Sequence, residues 1–261
     1  MDRILEAAQA IATARRTKER LGALAPEVAP RDEAEGYRVQ RALHDLLLPQ
    51  SGALVGYKIG CTSNVMQQYL RIPHPCGGGV FARSVHQSGV KLPASNFVRV
   101  GVECEIAVKL SRDLAPGEAP FTAEWVAEAI EAYLPAIEIV DDRYVQWETL
   151  GAPTLVADDF FAAACVLGKP MRRREAPDVR EVAGRALING SEVGQGTGAD
   201  VLGHPHNALA WLANHLAAEG KGLHRGQLVL TGSLVKTVWL TPGDRVTMEL
   251  AGLGKVEAEF T

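Results

Sequence analysis

Two glutamates separated by a single residue, Glu103 and Glu105, stand in the otherwise apolar run Val100–Leu110. Polarity alternates along this run, which is the pattern of a β-strand, where side chains two residues apart project from the same face. The two carboxylates are therefore expected on one face, about 7 Å apart at the backbone. Anions this close repel each other unless something compensates them, and hard divalent cations such as Mg²⁺ or Mn²⁺ take oxygen ligands. The pattern predicts either a metal site or the solvated polar face of an edge strand.

A third carboxylate, Glu138, stands in the middle of a second apolar run, Leu134–Val140. A charged side chain within a buried strand is rarely left unpaired, because its desolvation is costly. Two interpretations are open: an ion pair with Arg143, or a third oxygen ligand beside the first two glutamates. Three carboxylates would leave further positions of an octahedral ion free for water or a chelating substrate.

A lysine between glycines is the next candidate, Lys58 in the segment Gly56–Gly60. Glycine allows a ligand or another backbone to approach closely. A partly buried lysine can act as a general acid or base or bind a substrate carboxylate, whereas a lysine at a strand edge simply reaches water. Thr231 and Ser233 end another predicted strand with hydroxyl groups, which suit either hydrogen bonds to a substrate carboxylate or a turn.

Two further pairs of polar residues have weaker signals. His204 and His206 precede a predicted helix, where capping is favoured over metal binding. Asp158 and Asp159 either cap a turn or extend the acidic site. The sequence contains no glycine-rich dinucleotide fingerprint and no P-loop, so a nucleotide cofactor is not expected.

The elements that must position these side chains follow from the periodicity of the apolar residues. Residues 1–50 are interpreted as an N-terminal helical portion with helices at 2–23 and 32–48, and residues 51–261 as a β-rich catalytic domain. The predicted strands of that domain cover 53–60, 100–110, 134–142, 184–189, 227–232, 235–241, 244–250 and 254–260, and its predicted helices cover 122–133 and 206–218. This order predicts the α+β class.

The composition limits the classes of protein that fit. With 261 residues, 47% hydrophobic and 22% charged, the chain is expected to fold as a soluble globular protein. A net charge of −4 argues against nucleic acid as a partner. No apolar run reaches the length of a membrane span, and the charged N-terminus does not fit a signal peptide. Four scattered cysteines predict reduced thiols and a cytoplasmic location.

Together these segments resemble the 2-keto-4-pentenoate hydratase and 2-oxo-3-enedioate decarboxylase family of the fumarylacetoacetate hydrolase superfamily. The resemblance is carried, in family order, by Gly56–Thr62, Val102–Ala107, Leu134–Val140, Leu202–Ala213, Leu230–Leu234 and Pro242–Asp244. It implies a mixed β-roll core of the fumarylacetoacetate hydrolase C-terminal-domain type, a Mg²⁺ or Mn²⁺ site and a homo-oligomer. It also implies that Glu103, Glu105 and Glu138 bind the metal and that Lys58 is the active-site lysine.

The activity implied by the resemblance is hydration of a 2-hydroxy-2,4-dienoate to a 4-hydroxy-2-oxo acid, in the breakdown of aromatic compounds. Decarboxylation of a 2-oxo-3-enedioate and hydrolysis of an acylpyruvate are alternatives. A non-catalytic partner subunit with the same fold is a rival of a different class.

Two positions depart from the family pattern. Cys76 stands where such hydratases often carry an aspartate that is a proposed acid or base, so that role would pass to Lys58, His74 or His86, or be absent. Asp159 stands where the family commonly has a small amide. Both departures bear on the substrate and the reaction.

Overall fold

A computed structural model describes residues 2–261, with six α-helices, fourteen strands and short 3₁₀ turns between them. The helices are α1 (Arg3–Thr17), α2 (Glu33–Ser51), α3 (Asn64–Leu70), α4 (Ala123–Ala127), α5 (Gly151–Ala157) and α6 (Pro205–Ala218). The strands are β1 (Leu54–Gly60), β2 (Cys76–Phe81), β3 (Val85–Gln87), β4 (Val90–Leu92), β5 (Val100–Leu110), β6 (Ile130–Asp141), β7 (Ala162–Leu167), β8 (Met171–Arg172), β9 (Ala183–Ile188), β10 (Ser191–Thr197), β11 (Leu228–Ser233), β12 (Val238–Trp239), β13 (Arg245–Leu250) and β14 (Gly254–Phe260).

Two mixed sheets form the β-rich core. Nine strands make the first sheet, in the order β2-β1-β11-β5-β6-β7-β3, with β12 paired to β5 and β8 paired to β6. Five strands make the second sheet, in the order β10-β9-β13-β14-β4. Apolar side chains of both sheets and of α6 share one buried cluster, which includes Ile106, Met248 and Leu209. The predicted α+β class with a mixed β-roll core is confirmed.

The central strand β5 shows why Glu105 is buried and Glu103 half-buried. Its side chains alternate as predicted, so that Val102, Cys104 and Ile106 enter the main core while Glu103 and Glu105 project from the opposite face. That opposite face is not solvated, because a second apolar cluster covers it. Strand β5 pairs with β11 on one side and β6 on the other. The edge-strand interpretation is therefore wrong.

The N-terminal helices pack on each other and on the sheet. Asp2 caps α1 by accepting a hydrogen bond from Ile4, and Asp32 caps α2 in the same way. Their apolar faces share one buried cluster with Phe81 of β2 and Ala157 of α5. The predicted boundary at residue 50 stays a prediction. Among the helices of residues 2–261, none combines the length and apolar character needed to cross a bilayer.

Three predicted elements differ from the structure. The helix predicted over 2–23 is too long, because α1 ends at Thr17 and Lys18 has a left-handed backbone. The helix predicted over 122–133 begins as expected but is too long, because α4 ends at Ala127 and β6 begins at Ile130. Strand β5 is eleven residues long, and its far end pairs Leu110 with Ile130, so sheet pairing outweighs the local helical periodicity. The strand predicted over 235–241 shrinks to Val238–Trp239.

Candidate metal centre and lysine site

The pairing of β5 with β6 brings the three glutamates together. Glu103 lies directly opposite Glu138, and Glu105 lies opposite the neighbouring Ala136. One carboxylate oxygen from each glutamate lies within 4.8 Å of the other two. Within residues 2–261 no other group of three or more acidic, histidine or cysteine side chains comes this close. Glu138 does not pair with Arg143, whose guanidinium contacts Asp158 at 2.9 Å.

The hydrogen bonds of this triad are incomplete. Oε2 of Glu105 accepts a 2.9 Å bond from the Gly232 N–H, and Oε1 of Glu103 accepts a short bond from the Thr237 hydroxyl. In the part of the chain from Asp2 onward, Oε1 of Glu105 and Oε2 of Glu138 are buried without a hydrogen-bond partner, and Oε1 of Glu138 has only the Lys58 ammonium beside it, at 3.0 Å. Buried carboxylate oxygens without partners are costly. A hard divalent cation is the partner that this set of oxygen donors fits.

Burial and mutual repulsion also change the proton affinity of the triad. Burial, followed by the charge of Glu138, raises the pKa of Glu103 to about 7. Burial, followed by the charges of Glu138 and Glu103, raises the pKa of Glu105 well above its ordinary value. In the absence of a cation, the cluster therefore holds protons that an ordinary glutamate would release.

Lys58 stands beside the triad on β1. Its Nζ lies 3.0 Å from Oε1 of Glu138 and donates a 3.1 Å hydrogen bond to the Phe160 carbonyl, and the residue is 2% exposed. Burial alone lowers the pKa of Lys58, but the charges of Glu138 and Glu103 outweigh it and raise the pKa above its ordinary value. In the metal-free protein the neighbouring carboxylates therefore hold Lys58 as an ammonium group.

Glycines make the room around Lys58. A Cβ atom on Gly78 would stand 2.8 Å from the Asp159 carbonyl oxygen and 3.1 Å from Lys58 Cδ. A Cβ atom on Gly60 would stand 3.0 Å from the Phe160 ring and 3.3 Å from Lys58 Nζ. These two positions explain why the lysine strand and its neighbour are rich in glycine.

The turn that caps Lys58 has an unusual backbone. Asp159, Phe160 and Phe161, which we call the left-handed turn, have φ angles of 53°, 50° and 67°. This region costs a non-glycine residue about 1–2 kcal/mol. Oδ1 of Asp159 lies 2.6 Å from His44 Nε2 and accepts a 2.8 Å bond from the Gly79 N–H.

The charge of Asp159 is stabilised by its neighbours. Burial alone would raise its pKa, but the charges of His44 and Arg15 hold the pKa well below its usual range. Neither interpretation of Asp158 and Asp159 holds: neither carboxylate belongs to the metal triad, and the turn Asp159–Phe161 begins without a side-chain cap, since both carboxylates pair with arginines instead.

Helix α2 contributes residues that the sequence analysis missed. The Tyr37 hydroxyl accepts a 3.0 Å bond from the Gly77 N–H, and Gln40 donates bonds of 2.9 Å and 2.8 Å to the carbonyls of Gly77 and Val156. With His44 these residues form a polar row at i, i+3 and i+7 on the buried side of the helix. That spacing was the available signal.

A cavity of about 310 Å³ opens beside the lysine. Lys58, Glu138 and Leu230 line its inner part, and side chains of the first two helices, among them Arg15 and Leu47, form part of its wall. The N-terminal helices therefore form part of the wall around Lys58 and Glu138, whereas Glu103 and Glu105 do not line this cavity.

The predicted hydroxyl residues have other partners. Thr231 is fully buried and donates a 2.7 Å hydrogen bond to the Ile106 carbonyl, and Ser233 donates a 2.7 Å bond to the Val235 carbonyl. Neither residue lines the cavity. Their assignment to substrate binding stays a prediction.

Cys76 does not replace an acid. The residue is fully buried, and a hydrogen bond with the Cys61 thiol, together with burial, raises its pKa well above the ordinary value. His74 contacts Glu33 at 3.2 Å, and His86 lies on β3 at the edge of the sheet. Among the residues named for the missing acid role, Lys58 alone lines the cavity.

The histidines at 204 and 206 lie apart from this site. His204 caps α6, because its Nδ1 accepts a 2.9 Å bond from the His206 N–H, and His206 Nε2 lies 2.7 Å from the Tyr133 hydroxyl. The capping interpretation is confirmed.

Comparison with known proteins agrees with this geometry. Residues 79–261 match the family described as fumarylacetoacetate (FAA) hydrolase C-terminal. A 2-keto-4-pentenoate hydratase from Paraburkholderia phymatum is 35% identical over 90% of this chain and 89% of its own length. A 2-hydroxyhexa-2,4-dienoate hydratase from Comamonas testosteroni is 36% identical over 84% of both chains.

A solved structure extends the likeness to the whole fold. The 4-oxalocrotonate decarboxylase from Pseudomonas putida, complexed with magnesium and adipate, superimposes with a TM-score of 0.90 at 27% identity, over 99% of this chain and 97% of that chain. The glutamate and lysine motifs, the family match and the relatives agree. The chain therefore belongs to the fumarylacetoacetate hydrolase family, in the branch that contains the 2-keto-4-pentenoate hydratases.

Proposed function

We propose that this enzyme is a metal-dependent hydro-lyase that adds water to a 2-hydroxy-2,4-dienoate and yields a 4-hydroxy-2-oxo acid, in the breakdown of aromatic compounds. The relatives named as hydratases support the reaction, since they match most of the chain. The single observation that carries the proposal is the set of three clustered carboxylates, with oxygens lacking hydrogen-bond donors, next to a buried lysine.

Glu103, Glu105 and Glu138 would hold a Mg²⁺ or Mn²⁺ ion. When bound, such an ion acts as a Lewis acid that stabilises negative charge developing on the oxygens of a 2-oxo acid. The magnesium complex of the related decarboxylase supports a divalent ion of this kind.

Lys58 would move the proton in the first half of the reaction. Its ammonium group lines the cavity and is fixed by Glu138 and the Phe160 carbonyl. We assign to it the transfer of a proton between the 2-hydroxyl group and the carbon chain, which converts the dienol into the conjugated ketone. Water then adds to the remaining double bond, with its hydroxyl on one carbon and its proton on the next. Apolar side chains such as Leu47 and Phe81 would hold the carbon chain.

Decarboxylation of a 2-oxo-3-enedioate is the second candidate, because the cavity carries surplus positive charge. Arg16 and Arg83 line it, and within residues 2–261 neither forms an ion pair. Both are exposed side chains that a second substrate carboxylate could reach. The related structure with bound adipate, a dicarboxylate, supports this candidate.

Homo-oligomer formation and a cytoplasmic location are also part of the proposal. Val65, Tyr69 and Val145 expose 74%, 52% and 58% of their surface, which is unusual for apolar side chains and supports contact with another copy. All four cysteines are free and buried, as expected in a reducing compartment. Light scattering after size-exclusion chromatography measures the oligomer.

An ultraviolet assay of freshly generated 2-hydroxypenta-2,4-dienoate tests the reaction, with Mg²⁺, with Mn²⁺ and with a chelator. The proposal predicts metal-dependent loss of the dienol absorbance, a 4-hydroxy-2-oxo acid product, and no turnover by Glu105→Gln. Release of CO₂ from a 2-oxo-3-enedioate, without hydration of the dienoate, would replace hydration with the second candidate. Turnover of neither substrate and no metal binding would favour the non-catalytic subunit.

A further inference from the structure

One arginine connects the first helix to the left-handed turn. Arg15, near the end of α1, donates from Nε to Asp158 Oδ1 and from Nη2 to the Asp158 carbonyl at 2.9 Å and to Asp159 Oδ2 at 3.1 Å. Both carboxylates are 1% exposed, so these bonds are shielded from water. A single guanidinium therefore holds two consecutive residues at the start of the turn.

The other end of this connection is Lys58. The Phe160 carbonyl, in the middle of the left-handed turn, accepts a hydrogen bond from Lys58 Nζ. Phe160 has φ 50° and ψ 58°, a conformation that a phenylalanine rarely adopts. Such a backbone persists only where its surroundings determine it. The contacts of Asp159 with Arg15, His44 and Gly79 supply that constraint.

We propose that Arg15 is a positioning residue: by holding Asp158 and Asp159 it keeps the Phe160 carbonyl on Lys58 and fixes the direction of the ammonium group in the cavity. The inference rests on the proposed role of Lys58. It gives the N-terminal helices a function beyond enclosing the cavity, because α1 then determines the geometry of a group that acts on the substrate.

Loss of Arg15 need not unfold the chain. Asp158 keeps its bonds to Arg143, at 3.0 Å, and to the Tyr144 hydroxyl, at 2.7 Å. Only the hydrogen bonds from Arg15 of α1 to Asp158 and Asp159 are lost, so we expect the left-handed turn to become more mobile while the sheet stays folded.

Arg3 offers a matched control on the same helix. It also fastens α1 to the following segment, through Glu35 at 2.7 Å and the Ala29 carbonyl at 2.6 Å, and it does not contact the turn. Arg3→Ala removes an α1 arginine of similar bonding without touching the lysine site.

The test compares Arg15→Ala, Arg15→Lys and Arg3→Ala by hydrogen exchange of the metal-free protein and by steady-state kinetics. In Arg15→Ala, faster exchange is expected in 158–162 and at Gly79, together with a fall in kcat of about tenfold or more and a KM within about threefold of the original. The kcat and the exchange rates of Arg15→Lys should lie between those of the original protein and those of Arg15→Ala. Millimolar guanidinium should restore part of the kcat of Arg15→Ala. Arg3→Ala should change neither quantity.

Unchanged exchange and kcat in Arg15→Ala would overturn the inference, and so would an equal loss in Arg3→Ala. If Arg15→Ala does not fold, Arg15→Lys decides, since a wild-type kcat and exchange pattern there would also overturn it. Lys58→Met separates this inference from the proposed function. Full activity of Lys58→Met would overturn the role of Lys58, whereas an inactive Lys58→Met beside an unaffected Arg15→Ala would overturn the positioning role alone.

Discussion

The two faces of strand β5 are both enclosed by the protein, yet they contribute to it in opposite ways. On one face Val102, Cys104 and Ile106 have no exposed surface and pack against the second sheet and α6. On the other face Glu103 and Glu105 lie against Glu138 and Lys58, with carboxylate oxygens that lack hydrogen-bond donors. Burial stabilises the first face and destabilises the second. The same strand thus separates the source of stability from the site of chemistry.

Lys58→Met should produce the largest change, on the glutamate face. A general acid contributes about 10²–10⁴-fold to a rate, so kcat should fall by that factor. Metal binding should survive, because the three glutamates remain. Activity assays with saturating Mg²⁺, together with calorimetry of the metal, make the measurement. A variant that loses the metal as well would show that Lys58 supports the triad rather than the reaction.

Ile106→Ala should produce the next largest change, on the core face. Removing a buried isoleucine side chain of this size costs about 2–5 kcal/mol of unfolding free energy. The activity per folded molecule should stay near that of the original protein, because Ile106 points away from the cavity. Urea denaturation measures the free energy of unfolding, and an assay at low temperature measures the activity per folded molecule. If activity fell while stability held, the separation of the two faces would be wrong.

Glu105→Gln should change the free energy of unfolding by less than Ile106→Ala does, and should increase it. In the metal-free protein at neutral pH we expect a gain of about 1–2 kcal/mol, because burial raises the pKa of Glu105 and folding must therefore protonate this carboxylate, a cost that a neutral glutamine does not carry. Its hydrogen bond with Gly232 can persist through the amide oxygen. Thermal unfolding with and without Mn²⁺ tests this. The ion should stabilise the original protein more than the variant, which binds it more weakly. A metal-free variant that melts below the original protein would contradict the account.

The smallest expected effect is a pH dependence of stability due to His206, which lies outside strand β5. Burial, and then the charge of His204, lower the pKa of His206 from 6.5 to about 4. Between these values the unfolded chain binds a proton that the folded chain does not, so stability should fall as the pH falls from 6.5 to 4. The full pKa difference corresponds to about 3 kcal/mol, and because solvent screens the half-buried ring we expect about 1–2 kcal/mol. Urea unfolding at several pH values, compared with His206→Gln, measures this. An identical pH dependence in His206→Gln would assign it to other groups.

Much of the glutamate site was predictable because local patterns encode it. Period-2 alternation placed Glu103 and Glu105 on one face, and a charge inside an apolar run singled out Glu138. The pairing that joins them, Glu103 opposite Glu138, is a property of the sheet and was not readable from either strand alone. The expected fold came from the family resemblance.

The contacts that hold the left-handed turn over Lys58 could not be predicted from the sequence, for a physical reason. Arg15 and Asp158 are 143 residues apart, and His44 and Asp159 are 115 apart, so no local pattern reports these contacts. The left-handed turn carries no glycine at Asp159–Phe161, the usual signal of such a backbone. The helix predicted over 122–133 is too long for a related reason, since Ile130 pairs with Leu110 of strand β5 and so belongs to β6.

The central claim is that three glutamates hold a divalent cation, and calorimetric titration of the metal-free protein with Mn²⁺ tests it most directly. The chain, Glu105→Gln, Glu138→Gln and the exposed control Glu131→Gln, whose carboxylate pairs with Lys109 on the sheet surface, are compared. We expect one ion per chain, an affinity lower by about tenfold or more in both triad variants, and an unchanged affinity in the control. Equal affinity in all four proteins would contradict it.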